Sequence, residues 1–258
     1  MEQQIQRAIR ILKEGGIVAF PTDTVYGLGA NAFDEDAVLK VYIAKARPRN
    51  FALTLLLADT SQIKLVAQDV PKIAWKLVQH FMPGGLTLVL NKSLAVSNMI
   101  TGEGNTVAVR IPNHPVPIAL VRGLGSPITG TSANISGEPS PVNAEEAYKQ
   151  LRRRVDMIID GGQCAGGVAS TVLDITTDPP TLIREGAIKL EDLSRVCRCH
   201  IAVSPPTPGA LASPLSTNWT PNPIPGLNEI ASIWKPRYGK TSPINLRSKL
   251  QSILEKFS

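Results

Sequence analysis

The sequence predicts an α/β protein in which one open, twisted β-sheet is flanked by helices. Amphipathic segments with helical spacing alternate along the chain with short runs of apolar and β-branched residues. This alternation favours a sheet covered by helices. Hydrophobic residues make up 43% of the 258 residues and charged residues 19%, a balance that permits a packed core.

The helices are predicted from apolar periodicity and from signals at their ends. The first segment places four apolar side chains on one face, and the pair Gly15-Gly16 ends it. Asp34 is a suitable N-cap for the second helix. The predicted helices cover residues 3–14, 34–45, 70–81, 115–123 and 143–153.

The strands are predicted from short apolar runs that turn residues interrupt. The first of these runs leads directly into Pro21, and the last two are close enough in sequence to form a terminal hairpin. The predicted strands cover residues 17–20, 53–58, 86–90, 106–111, 127–129 and 157–160, and the hairpin covers 171–175 and 181–184.

The composition changes near residue 200. The following segment is rich in proline, with Ser, Thr and Asn between the prolines, which predicts an extended linker rather than a core. Residues 244–257 regain a weak helical period. The sequence therefore predicts a domain over 1–200 and a proline-rich linker and basic C-terminal tail with one helix over 201–258.

The positive charge is concentrated in this tail. Residues 201–258 contain six Lys or Arg and two Glu, a balance of +4, so the first 200 residues carry only +2 of the formal net charge of +6. A nearly neutral body fits a small anionic ligand better than a surface that binds a nucleic-acid duplex. The N-terminus has no apolar signal core and no run of 18 apolar residues occurs, so we expect a cytoplasmic protein without membrane contact.

The three cysteines do not indicate a disulfide framework or a metal site. Their number is odd, and Cys197 and Cys199 are separated by one residue. The C-x-C-H run that ends at His200 lacks the second pair of ligands that a structural zinc site requires. We therefore expect no protein-bound metal.

Three loops combine small polar residues with glycine and proline. Residues 20–29 follow a predicted strand, where an open α/β sheet places its ligands, although turn chemistry explains part of the pattern. Residues 45–49 carry three cations that either grip a polyphosphate or only offset a helix dipole. Cations at such a helix edge are expected to pack little surface. Residues 130–141 offer hydroxyls and backbone N–H groups as an anion cradle, or else form a plain surface loop.

Two arginines lie in predicted strands, and no dedicated catalytic base is evident. Arg110 and Arg184 are expected to point at a carboxylate, a phosphate or, on an edge strand, solvent. The Walker A, G-x-G-x-x-G, G-x-S-x-G and H-E-x-x-H patterns do not occur in the sequence. Catalysis by positioning and charge stabilisation, as in phosphoryl or nucleotidyl transfer, fits this set of residues.

Together these segments resemble the YrdC/Sua5 family of threonylcarbamoyl-AMP synthases. The six motifs occur in the family's order, which makes the resemblance specific although each motif alone is modest. They are PTDTVYGLG at 21–29, the Lys45-x-Arg47 pair, PGGLTLVL at 83–90, TVAVRIP at 106–112, TSANISGEPSP at 131–141, and the end segments 167–174 and 183–186.

The resemblance implies a YrdC-like twisted sheet with a basic concave ligand surface and an L-threonylcarbamoyladenylate synthase activity. Such an enzyme, a nucleotidyltransferase, converts L-threonine, bicarbonate or CO₂, and ATP into L-threonylcarbamoyl-AMP and pyrophosphate. The product would pass to a threonylcarbamoyl-transferase complex for the t6A modification of tRNA adenosine 37. Mg²⁺ would arrive with the ATP, and weak binding of tRNA is expected from the basic tail.

The resemblance also assigns roles by matching position. Lys45 and Arg47 would be the catalytic cations. L-threonine would be contacted by Thr24, Arg110 and Ser170. ATP would be contacted by Arg47, Thr106, Ser132, Asn134, Ser140 and Arg184.

The sequence departs from the family pattern in two places. Many relatives have a polar residue and a proline after the Lys-x-Arg-Pro run, and some a histidine further on, where this chain has Phe51-Ala52-Leu53 and then Leu56. The tail is also too short and proline-rich for the second α/β domain of Sua5-type members. Two alternatives stay open: an RNA-binding or ribosome-assembly module without turnover, and a carbamoyl-adenylate enzyme that uses carbamoyl phosphate. The absence of acylphosphatase-like and zinc-finger segments argues against the second.

Overall fold

The computed structural model of the chain describes residues 1–205. Within these residues, ten strands form one mixed sheet with helices on both faces, so the predicted fold class is confirmed. No helix in this part of the chain is long and apolar enough to cross a membrane. Residues 206–258, and with them the predicted linker and tail helix, lie outside the described residues, so the domain boundary stays a prediction.

All five predicted helices are present, with ends that differ from the predicted ones by at most two residues. Asp34 caps the second helix as predicted, because its Oδ1 accepts a hydrogen bond from the N–H of Ala37 at 3.1 Å. The unpredicted helices are mostly short, and only α8 reaches eight residues. The helices are α1 Glu2–Lys13, α2 Glu35–Ala44, α3 Ile63–Val66, α4 Lys72–Phe81, α5 Asn98–Thr101, α6 Pro115–Leu124, α7 Ala144–Leu151 and α8 Leu190–Cys197, with 3₁₀ turns at Thr60–Gln62 and Arg152–Arg154.

All predicted strands are present, and the terminal hairpin is confirmed as an antiparallel pair. Two strands were not predicted. One reads Gly-Leu-Gly and gives no β-branched signal, and the other is two residues long. The strands are β1 Val18–Phe20, β2 Gly27–Gly29, β3 Thr54–Leu56, β4 Leu86–Asn91, β5 Thr106–Arg110, β6 Ile128–Ser132, β7 Met157–Ile158, β8 Thr171–Asp174, β9 Thr181–Arg184 and β10 Ala202–Val203.

The sheet mixes parallel and antiparallel pairs. Its strand order is β10-β9-β8-β4-β5-β3-β6-β2-β1-β7, with β3 parallel to β5 and antiparallel to β6. Successive side chains of β1 belong to two different core clusters: Ala19 lies in the cluster on one face and Val18 and Phe20 in the cluster on the other. Both faces of the sheet are therefore buried, which explains why its strands read as continuous apolar runs.

The middle of the sheet brings together three segments that the sequence singled out. Ser132 of β6 lies opposite Gly27 of β2, and Arg110 at the end of β5 lies opposite Leu56 of β3. Close packing requires a glycine at position 130, because a Cβ there would lie 2.4 Å from Cγ of Leu56. The loops after β1, β5 and β6 thus meet at one place on the sheet.

Candidate functional site

A cleft of about 400 Å³ opens where these loops meet. Its lining contains four cationic side chains, and no Asp, Glu, His or Cys is present among the described residues that line it. The four cations are Lys45, Arg47, Arg110 and Arg184. A site with this lining favours a polyanion, and its described lining contains no imidazole, thiol or carboxylate.

Lys45 is enclosed by the loop that follows β6. It follows α2 directly and is 1% exposed. Its Nζ donates hydrogen bonds to the carbonyl oxygens of Ser132 and Asn134, the latter at 2.7 Å. Burial lowers the pKa of the Lys45 ammonium well below its ordinary value, and the charge of Arg47 lowers it further. The expectation that a cation at this helix edge packs little surface is therefore wrong for Lys45.

Arg47 lies close to Lys45, just beyond the C-terminal end of α2. Its Nη2 donates to the carbonyl oxygen of Ala52 at 3.1 Å, and its guanidinium carbon lies 5.3 Å from the centroid of the Phe51 ring. Its Nε is buried and makes no hydrogen bond to any described residue. The guanidinium thus contacts one aromatic ring and one carbonyl oxygen, while its other N–H groups, apart from Nη2–H, are left for a ligand.

Arg110 is buried at the end of β5 and is tied to the loop after β1. It donates from Nε to the Gly84 carbonyl at 2.9 Å, from Nη1 to Oγ1 of Thr24 at 2.9 Å, and from Nη2 to Oδ1 of Asp23 at 2.7 Å. A solvent-facing edge position is therefore wrong, because β5 lies between β4 and β3. A guanidinium has five N–H groups, so two remain, one on each terminal nitrogen.

Thr24 is placed by a hydroxyl relay. The Thr22 hydroxyl lies 2.6 Å from the Val25 carbonyl, to which it donates, and 3.0 Å from the Thr24 hydroxyl. Because Thr22 has one proton, Thr24 donates in the second contact while it accepts from Arg110. One lone pair of the Thr24 oxygen is left for a ligand.

Arg184 and Ser170 form the opposite side of the cleft. Arg184 donates from Nε and Nη2 to the Ser170 carbonyl at 3.1 and 2.8 Å, and the Ser170 hydroxyl lies 2.9 Å from that of Thr87. Burial lowers the pKa of Arg184 to about 10, and the positive charges of Arg110 and Arg47 contribute to this shift. The arginines therefore act on one another across the cleft.

The loop after β6 supplies unused polar atoms. The side-chain amide of Asn134 donates to the carbonyl oxygens of Ile135 and Glu138, both at 2.8 Å. Its Oδ1 and the hydroxyl of Ser136 are buried and have no hydrogen-bond partner among the described residues. Buried polar atoms without partners are costly, so these two are candidate ligand contacts.

Nearly all residues that the sequence assigned to the site line this one cleft. The exception is Thr106, which opens β5 opposite Asn91, at the other end of the strand from Arg110. Its ATP contact stays a prediction. The assigned residues that line the cleft are Thr24, Lys45, Arg47, Arg110, Ser132, Asn134, Ser140, Ser170 and Arg184.

Other lining residues were not assigned from the sequence. Thr22 and Ser136 lie inside motifs that the sequence marked, as does Thr87 in PGGLTLVL, so a closer reading of the hydroxyls in those motifs could have found them. Thr54 of β3 gave no signal, because it lies within an apolar strand. Asp23 does not line the cleft but holds Arg110 from behind.

The fold and the cleft define a class: α/β domains with a cationic pocket over the middle strands of a mixed sheet. A family model described as Telomere recombination (Sua5/yciO/yrdC) matches residues 10–186. The chain belongs to the Sua5/YciO/YrdC family.

Relatives and solved structures agree with this assignment. The chain is 45% identical over 205 residues to a threonylcarbamoyl-AMP synthase of Pyrococcus abyssi, covering 78% of this chain and 60% of the relative. It is 46% identical over 196 residues to that of Bacillus subtilis, covering 76% and 57%. The crystal structure of P. abyssi Sua5 complexed with L-threonine superposes with a TM-score of 0.78 at 44% identity, covering 80% of this chain and 60% of that one. The chain therefore spans about three fifths of the length of these relatives.

Proposed function

We propose that this chain is an L-threonylcarbamoyladenylate synthase, a nucleotidyltransferase that forms L-threonylcarbamoyl-AMP and pyrophosphate from L-threonine, bicarbonate or CO₂, and ATP. The observation that carries the proposal is the convergence of four cations on one cleft whose described lining has no acidic side chain. The relatives named threonylcarbamoyl-AMP synthase and the Sua5 complex with L-threonine support the choice of substrates.

The proposed reaction has two stages. The neutral amine of threonine adds to CO₂ with release of one proton to solvent, or to bicarbonate with loss of water, and forms a carbamate. A carbamate oxygen then attacks the α-phosphorus of ATP, the bond from that phosphorus to the bridging oxygen breaks, and pyrophosphate leaves. Neither stage requires a nucleophile from the protein, which fits a cleft without His, Cys or carboxylate in its described lining.

The amino acid fits the side of the cleft at Arg110. The two free N–H groups of Arg110 would donate to the carboxylate of threonine. The hydroxyls of Thr24 and Ser170, both buried, would read the amine and the side chain of the substrate.

The phosphates fit the side at Lys45, Arg47 and Arg184. Negative charge moves onto pyrophosphate as the bond breaks, and fixed cations stabilise that charge without reorganisation. The hydroxyls of Ser132 and Ser140 and the free Oδ1 of Asn134 would contact the rest of the nucleotide.

Magnesium fits this proposal only as part of the substrate. In the described part of the chain, no three His, Cys, Asp or Glu side chains converge as a metal-ligand set. Mg²⁺ prefers carboxylate, phosphate and water oxygens, so it would enter on the phosphates of ATP. A downstream threonylcarbamoyl-transferase complex, the t6A modification and the cytoplasmic location stay predictions from the sequence.

One assay tests the proposal against its rivals. The full chain is incubated with MgATP, L-threonine and radiolabelled bicarbonate, and the products are separated for a labelled adenylate. We expect a labelled adenylate that requires both threonine and ATP. Label from carbamoyl phosphate but not from bicarbonate would identify the carbamoyl-adenylate alternative, and binding of RNA without any adenylate would favour the RNA-binding module.

A further inference from the structure

Arg47 has an aromatic neighbour at the place where the sequence departs from its family pattern. The guanidinium carbon of Arg47 lies 5.3 Å from the centroid of the Phe51 ring. This is within the distance at which the negative face of a ring attracts a cation. We propose that Phe51 is a positioning residue that holds the Arg47 guanidinium in the orientation in which it grips the phosphates of the ligand. The inference rests on the proposed function only in taking those phosphates to be the ones of ATP.

The backbone of Phe51 is fixed from two directions. Its N–H donates to the Pro48 carbonyl at 3.2 Å, which closes a tight turn after the Lys-x-Arg-Pro run. Its carbonyl lies 2.9 Å from the hydroxyl of Tyr42, a buried residue of α2, and that hydroxyl also lies 2.8 Å from the Met99 carbonyl. The backbone of Phe51 is thus anchored to α2, the helix that Lys45 follows.

The Tyr42 anchor keeps its proton. Burial raises the pKa of Tyr42 to about 12, although the nearby positive charges of Arg47 and Arg49 oppose the shift. The phenol therefore remains a donor that the Phe51 and Met99 carbonyls share. The turn is therefore held at both ends, by the hydrogen bond to the Pro48 carbonyl and by the hydrogen bond to the Phe51 carbonyl. These two bonds limit where the Phe51 ring can lie.

The ring orients Arg47 without neutralising it. The Arg47 guanidinium carbon lies over the Phe51 ring, and the Ala52 carbonyl accepts from a single N–H. Within the described residues, Arg47 has no carboxylate partner, and its buried Nε has no acceptor. An acidic partner would hold the guanidinium equally well but would cancel the charge that a phosphate needs. A ring does not cancel it.

Phe51 acts through Arg47 rather than on the ligand. Arg47, Ala52 and Leu53 line the cleft, whereas Phe51 is not among the described residues that line it. The ring therefore contacts a residue of the lining without being part of the lining itself. Its substitution should change how tightly phosphates bind and leave the threonine side of the site unaffected.

The test uses inorganic pyrophosphate as the probe and the full chain as the protein. Binding is measured by isothermal titration for the parent chain, Phe51→Leu, which keeps an apolar side chain but removes the ring face, and Phe51→Tyr, which restores the face. We expect Phe51→Leu to weaken binding about three- to tenfold and Phe51→Tyr to lie within about twofold of the parent. Phe33→Leu makes the same change at an exposed phenylalanine outside the cleft and should bind like the parent.

A double-mutant cycle with Arg47→Ala isolates the proposed pair. In the Arg47→Ala background, Phe51→Leu should add no further loss, because the ring then has no cation to hold. An equal loss in both backgrounds, or parent-like binding by Phe51→Leu, would overturn the inference. Neither outcome depends on turnover: if the chain forms no labelled adenylate but Phe51 and Arg47 are coupled in pyrophosphate binding, the proposed function fails while the inference stands. Melting curves of each variant confirm that titrations compare folded proteins.

Discussion

The cations of the cleft and the cations of the outer helices are held by different means. On the surface, Lys149 pairs with Glu145 on α7, and Arg195 pairs with Asp192 on α8. In the cleft, Lys45 donates to two main-chain carbonyls, and Arg47 donates to one. The surface pairs cancel charge at positions exposed to water, where an ion pair contributes little to folding stability. The carbonyl contacts in the cleft orient the charge and leave it available for an anionic ligand.

This difference explains how a nearly neutral body can contain a strongly positive site. Carbonyl dipoles partly stabilise an ammonium or guanidinium, but they carry no net charge. Burial lowers the pKa values of Lys45 and of Arg184. The carboxylate that pairs with Arg110, that of Asp23, is not part of the described lining of the cleft. Three predictions test the contrast between the two regions, one tests substrate choice and one tests the tail.

Arg47→Ala should have the largest effect. Removal of a charge that stabilises departing pyrophosphate should lower kcat on the order of 10²-fold or more, comparable to the loss of one oxyanion-hole donor. A purely structural role at the helix end would instead cost only about 0.3–1 kcal/mol of stability and leave turnover intact. Pyrophosphate release and thermal melting are measured together.

Arg195→Ala is the matched control for that change, because it removes a surface arginine with an ion-pair partner on α8. It should leave both turnover and melting as in the parent. Near-normal turnover in Arg47→Ala would mean that much of the site assignment is wrong. The Arg47→Ala and Lys45→Ala changes in one chain should be less than additive if both cations grip one phosphate chain.

Lys45→Ala should also destabilise the fold, whereas the same substitution of a surface lysine should not. It removes a fully buried stem and leaves the Ser132 and Asn134 carbonyls without their donor. The variant no longer bears the cost of burying a charged group, which offsets part of this loss. We expect the free energy of unfolding to fall by about 2 kcal/mol in total. Lys45→Met keeps the stem and should recover about half of the stability but not the activity. Lys149→Ala, on exposed α7, should show no measurable change in denaturant midpoint; equal losses at both positions would refute the contrast.

Substrate choice should show a smaller effect. If the site contacts the hydroxyl and the methyl group of threonine, serine should be a poorer substrate, with the methyl worth about 1–3 kcal/mol. Alanine, which lacks the hydroxyl, should be poorer still. The measurement is kcat/KM for adenylate formation with each amino acid. Equal values for the three would exclude a site built around threonine.

The sequence predicted the core of this fold because burial leaves a regular pattern. The stripe Ile5, Ala8, Ile9 and Leu12 is buried on α1 as its spacing requires. The strand β2 was missed because its Gly-Leu-Gly sequence has no β propensity of its own and depends on its partners β1 and β6.

The geometry of the site was only partly predictable, because contacts between residues far apart in the sequence leave no local pattern. Motifs marked the loops, since glycines, hydroxyls and cations cluster in them. The tie between Arg110 and Asp23 joins residues 87 positions apart, and no local pattern specifies such a pair. The burial of Lys45 likewise depends on the β6 loop folding over it, which spacing on α2 cannot indicate.

Binding of tRNA should depend on the tail rather than on the cleft. Residues 206–258 carry six Lys or Arg and two Glu, so +4 of the net +6 lies there. A chain ending at residue 200 would lose Ile201, which is buried, and β10. The truncation is therefore better placed after Pro205. We expect it to weaken tRNA binding roughly tenfold at low salt and to reduce the salt dependence, as gel-shift titrations can measure. Tight binding by the truncated chain at physiological salt would instead favour the RNA-binding alternative.

The pH dependence of pyrophosphate binding should be the smallest effect. Because the pKa of Lys45 is depressed in the free protein, an anion that prefers the ammonium form raises it, and binding takes up a proton. Affinity should then fall as pH rises above the depressed pKa, by at most about tenfold per pH unit for one proton. Titrations in buffers of different ionisation enthalpy measure the proton uptake directly. Lys45→Arg, which keeps its charge across this range, should remove the uptake. If Lys45→Arg still takes up a proton, another group accepts it. The difference between buried and exposed cations would then not rest on the titration of Lys45.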